Sequence, residues 1–165
     1  MTDMQTKSSF APTANLFRLN AMLVHNALKD IDPEHLTVRP NDTVNSFAWL
    51  LGHITRARFG IARLCGLDVE VPFGELFARG QGAGDSDDYP SIDTLKAKYK
   101  EAAALLNKRF AEISDAELDA PVENEYPSQE KNLRGALTFL VFHESVHVGQ
   151  MMSLRRYFGY SGLVG

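Results

Sequence analysis

At 165 residues the chain is sized for one domain, and a domain of this length buries roughly 70% of the surface its unfolded chain exposes. A hydrophobic fraction of 44%, a charged fraction of 23% and 17 basic against 21 acidic residues (net charge −4) describe a globular chain; they argue against disorder and against a nucleic-acid-binding surface. The single cysteine, Cys65, excludes an intrachain disulfide and a cysteine-based zinc site, so the cytoplasm is the expected compartment.

One domain is expected over residues 1–165, with 1–10 as a flexible lead-in. No apolar stretch follows Met1, and no window approaches the roughly 18 apolar residues a bilayer span needs, so neither a leader nor membrane association is expected. Leu16, Leu19, Leu23 and Ala27, widened by Phe17, Val24 and Leu28, recur at helical spacing and predict a first helix from Pro12 to Asp30. Asp32-Pro33-Glu34-His35 offers a cap followed by Pro, hence one short turn before Arg39-Pro40 forces extended backbone. A second helix is predicted from Asn45 or Ser46 to Cys65, with Gly66 as its left-handed cap and with Trp49, Leu50, His53, Ala57, Gly60 and Leu64 along one side.

The connection 67–90 is long for a helical bundle; Phe73 and Glu75-Leu76-Phe77 are candidates for a docked helical turn, and Arg79 to Asp88 reads as a mobile loop. The whole connection suits a lid or a dimer contact. Ser91 caps a third helix reaching Ile113, striped by Ile92, Leu95, Tyr99, Ala102 with Ala103, Leu106 and Phe110. After a Pro-containing acidic loop, a fourth helix runs from Leu133 to Phe158, ended by Gly159, and its inner stripe is Ala136, Leu140, His143, His147, Met151, Leu154 and Phe158. Four amphipathic helices imply an all-α bundle, whose sites are built from side chains on facing helices.

His143 and His147 stand four apart, so at about 100° per residue their rings can converge on one point, a chelating arrangement. Neutral imidazole is a good ligand for zinc, nickel or iron. His143-Glu144-Ser145-Val146-His147 also spells the HExxH string of zinc peptidases, where Glu acts as general base. That string needs a third ligand downstream, yet the 18 residues after His147 hold no His, Asp or Glu. His53, on the core side of the second helix, is the available third ligand. A di-iron site is disfavoured, because only Glu144 and His147 form a Glu-x-x-His pair. His25 and His35 are expected to face solvent, and Cys65 to be a small buried hydrophobe.

The run Arg39-Pro40, then Asn45-Ser46-Phe47-Ala48-Trp49-Leu50-Leu51-Gly52-His53, followed by His143-Glu144-Ser145-Val146-His147-Val148-Gly149-Gln150, resembles the DinB-like family of metal-binding four-helix bundles. The resemblance implies an up-down-down-up bundle, often dimeric, with a divalent metal held by three histidines that map to His53, His143 and His147. Members of that family include S-transferases using low-molecular-weight thiols.

Three protein ligands leave one position open, which permits either thiol transfer or hydrolysis by metal-activated water. The residues do not choose between the two, and the family resemblance implies the first: a metal-dependent thiol S-transferase acting on a small molecule. The alternatives are a metal-dependent hydrolase and a non-enzymatic, metal-stabilised stress-response protein. Zinc and nickel are the first choices of ion, iron and manganese the next. Glu144 flanks the ligands as a candidate base or as a solvated carboxylate, and Gln150 is a candidate partner for a metal-bound water. Trp49 is either core or pocket wall, and Arg56 either receives an anionic substrate or forms a surface ion pair.

Overall fold

In the computed structural model, which describes residues 9–78, 80, 86–123 and 125–162, most helices start where a side chain replaces a missing backbone partner. Helix α1 is Ala11–Ala27, with Pro12 in its first turn. Helix α2, Pro33–Leu36, is capped by the Asp32 carboxylate, which accepts from the Glu34 N–H. Ser46 Oγ accepts from the Trp49 N–H at the start of α3, Phe47–Leu64, and Gly66 follows its end at φ 85°. Ser91 opens α4, Ile92–Glu112, and Asn132 opens α6, Leu133–Tyr157. The short α5, Asp115–Leu118, carries a capping box between Ser114 and Glu117.

The described residues are helical with no strand, as expected. No helix among them is long and apolar enough to cross a membrane. Helix α3 packs broadly on α4 and also on α6, α1 packs broadly on α6, and α1 meets α4 only loosely. The core falls into two clusters, one around Trp49, Leu51, Ile54 and Met151, the other around Phe17, Leu106, Phe110 and Leu137. A buried polar layer crosses the bundle as well. Arg58, 1% exposed, donates from Nε and Nη2 to the two carboxylate oxygens of Glu144, at 2.7 and 2.8 Å, and from Nη2 to the Phe17 carbonyl at 2.8 Å. Its guanidinium also lies 4.7 Å from the Tyr99 ring centre. Asn20 extends the layer, donating to Ser145 Oγ at 3.0 Å.

Several expectations are corrected. The inner line of α1 is Ala14, Phe17, Asn20, Val24 and Ala27, whereas Leu16 and Leu19 are 46% and 41% exposed. Both lines have helical spacing; the Phe17 ring packs on Phe110 and Asn20 bonds to α6, which turns the leucines outward. Residues 1–8 of the flexible lead-in lie outside the described residues, but Phe10 is buried edge-on against Phe110 and Ser9 is bonded to Asp115. His35 is half-buried, stacked on Phe158 and 2.8 Å from the Tyr160 hydroxyl, because the chain beyond α6 folds back over α2. His25 is exposed as expected. The loop expected at Arg79 to Asp88 falls mostly outside the described residues, which resume in a 3-10 turn at Ser86–Asp88.

Removing one partner of a buried ion pair strands the other. Arg58→Ala is therefore expected to lower unfolding free energy by about 3–5 kcal/mol in denaturant titrations, and the double replacement Arg58→Met with Glu144→Met to cost far less.

Candidate metal centre

Helices α3 and α6 bring together the three histidines singled out in the sequence. One ring nitrogen from each of His53, His143 and His147 lies within 4.8 Å of the other two. The His53 ring centre is 5.4 Å from that of His143 and 4.7 Å from that of His147. His53 Nδ1 is 2.8 Å from the Phe77 carbonyl oxygen. That oxygen only accepts, so Nδ1 carries the proton and Nε2 keeps a lone pair. This Nε2 is buried and has no hydrogen-bond partner. His147 is set in the same way, its Nδ1 donating to Gln150 Oε1 at 2.8 Å and its Nε2 lying 3.1 Å from His143 Nε2.

His143 and His147 can satisfy each other by sharing one proton between their Nε2 atoms, but the orphaned, buried Nε2 of His53 is costly unless a cation joins it to them. The donor set therefore fits a divalent ion with three nitrogen ligands, and bonds from the outer ring nitrogens are the usual means of orienting such ligands. Burial, the largest influence, lowers the pKa of both His53 and His147. The His53 bond to Phe77 opposes that shift, while the charges of His147 and Arg56 add to it. Gln150 and the Glu144 charge oppose it at His147.

The partner of His53 comes from the 67–90 connection, whose described part forms a strap of turns over α3. Phe77 is fully buried, and a Cβ on Gly52 would sit 2.6 Å from its ring, so glycine is what lets the strap reach the helix. Phe73 and Gly74 take positive φ, 71° and 51°, to turn the chain inward. Arg56 ties the turn down, donating from Nε to the Gly74 carbonyl at 2.8 Å and from Nη2 to Glu75 at 3.3 Å. Its guanidinium thus serves the strap through a surface ion pair. Trp49 is buried and stacked flat on His53, with 4.8 Å between ring centres, and its Nε1 has no hydrogen-bond partner.

Glu144 is not a solvated carboxylate. It is 2% exposed and faces away from the aqueous side of α6, since both its oxygens are held by Arg58. The inner line of α6 accordingly runs through Leu137, Val141, Glu144, Val148 and Met151, with His143 and His147 half-buried on the flank toward α3. Cys65 is buried at the end of α3, and burial pushes its thiol up to about 12, in keeping with a packing role. Sequence reading placed Phe77 in a docked turn but missed its bond to His53, and it missed Arg58. Arg58 does continue the apolar line Leu51, Thr55, Ala62 at spacings of four and three, a signal for a buried cation; nothing local marks Phe77 as a partner of His53.

The model of the DinB superfamily matches residues 16–151, a span that includes all three histidines and both ends of the buried ion pair. The chain belongs to the DinB superfamily. Comparison with curated proteins gives no match. Within this DinB-superfamily chain the histidine triad is a site able to hold a metal ion.

The lowered pKa values fix a pH dependence. Unfolded histidine, near 6.5, takes up protons before folded His53 and His147 do, so the metal-free protein is expected to lose stability as pH falls through and below 6.5. Thermal melts across that range check this, and replacing His53 with Ala should flatten the dependence.

Proposed function

We propose that the chain binds one divalent ion, zinc or nickel, through Nε2 of His53, His143 and His147, and acts as a thiol S-transferase on small molecules in the cytoplasm. The observation supporting this reading most directly is the buried Nε2 of His53, held without a protein partner beside the other two rings. Three ligands leave a position for substrate, and an ion bound there supplies Lewis acidity that favours the thiolate form of a low-molecular-weight thiol. In the transfer itself a sulfur–carbon bond forms, the leaving group departs with its electron pair, and the thiol proton is released.

The chain's own groups divide the remaining work. Phe77 and Gln150 orient His53 and His147, and the Arg58–Glu144 pair sets the rotation of α6 that presents His143 and His147. We assign Glu144 and Gln150 this positioning role. Trp49 supplies a flat wall and an unpartnered N–H beside the ligands. The fold this reading uses is the up-down-down-up bundle. The contacts Ser9–Arg134, Asn20–Ser145 and Ala27–Arg155 run α1 alongside α6, and His147–Trp49 and Glu144–Arg58 run α3 against it.

A second copy of the chain is the proposed partner. Among the described residues seven large hydrophobic side chains are exposed, three of them on α1 (Leu16, Leu19, Met22) and three on the adjoining α6 (Phe142, Val146, Tyr157). Sedimentation velocity is expected to show a dimer that Leu19→Lys with Phe142→Lys converts to monomer; a wild-type monomer at all concentrations would overturn it.

Elemental analysis of untagged protein is expected to find about one divalent ion per chain, lost in His53→Ala and in His147→Ala. Loaded protein should then consume small thiols in the presence of 1-chloro-2,4-dinitrobenzene faster than chelated protein does. Chelation that lowers the melting temperature by many degrees, with no thiol consumed, would instead make the site structural. No metal uptake after incubation with zinc and nickel would remove the reading altogether.

A further inference from the structure

The histidine site lies between α3 and α6; the opposite pair, α1 and α4, leaves its seam open. A groove of about 530 Å³ runs along that seam, within the range of small-molecule sites. Its floor is apolar, made by Val24, Leu28, Leu51 and Tyr99, all buried. Ala21, Ala97 and Ala103 also line it, and their short side chains leave the trough unfilled.

The rim has the opposite character. Lys29 and His25 come from the end of α1, and Lys96 and Lys100 stand one turn apart on α4. None of the lining residues is acidic, although the chain as a whole carries −4. Among the described residues no ion pair engages Lys29, Lys96 or Lys100, while Lys98, on the same helix, is paired with Glu101. An apolar trough edged by unpaired cations complements a molecule with a hydrocarbon tail and one negative head.

We propose that this groove binds a single-chain anionic amphiphile, a fatty carboxylate, with its tail on the Val24–Leu51–Tyr99 floor and its carboxylate at Lys96, Lys100 and Lys29. The site is separate from the metal centre and does not depend on it.

Isothermal titration calorimetry of the full chain with sodium dodecanoate, below its micelle concentration, tests this. Saturable binding near one per chain is expected, at least about tenfold tighter than for butyrate or for dodecyltrimethylammonium. Lys96→Glu with Lys100→Glu, which reverses the rim charge, should weaken it by at least about tenfold. Ala97→Phe and, separately, Ala103→Leu fill the trough and should abolish it. Circular dichroism and zinc content of the same samples verify each fold, and unchanged zinc content keeps this result distinct from that of the metal site. Equal affinity for the cationic amphiphile, binding that survives both filling variants, or no saturable heat in wild type would each overturn the proposal. Self-association broken by the Lys96→Glu, Lys100→Glu variant would overturn it in favour of a second copy in the groove.

Discussion

One guanidinium touches all four long helices. Arg58 belongs to α3, bonds to Glu144 on α6 and to the Phe17 carbonyl on α1, and lies over the Tyr99 ring on α4. Apolar packing alone tolerates small rotations of a helix about its axis, because one methyl group substitutes for another. A bidentate bond between planar groups does not. Glu144 lies between His143 and His147 in sequence, so fixing its carboxylate fixes the direction in which both rings leave α6. Desolvating two charges is expensive, and a pair of this kind is better understood as specifying an arrangement than as adding stability.

The same logic explains what could be read from the sequence and what could not. The helix ends were legible because they depend on neighbours in the chain: Ser46, Ser91, Gly66 and Gly159 cap or terminate the elements they were expected to. The histidine triad was legible because four-residue spacing converges two rings and the core side of α3 offered a third. The inner face of α1 was not. Two lines of apolar residues compete there, and the choice between them is made by Phe110 on α4 and Ser145 on α6, far away in sequence. The burial of Glu144 was hidden for the same reason, since its partner lies 86 residues upstream. The capping box at Ser114 and Glu117 is a local signal too, yet the stretch was read only as an acidic loop, and α5 stands there instead.

The centre itself is built for neutral ligands. Burial disfavours the imidazolium at His53 and His147, and the outer nitrogens are held by groups that accept a proton bond without bearing a full charge. An ion held by three neutral rings keeps its whole double charge, which makes it a stronger Lewis acid than one whose charge is partly cancelled by carboxylates or thiolates.

Seating Phe77 against Gly52 divides the connection between α3 and α4 into two unequal parts. From His53 to Phe77 the chain closes a loop of fixed length, because its far end supplies the atom that sets the proton on a candidate ligand. Among the described residues, the rest of the connection makes no hydrogen bond to His53. Insertions and deletions in related chains should therefore avoid 54–77, so the length of that segment acts as a ruler by which chains sharing this centre can be told from those that share only the bundle.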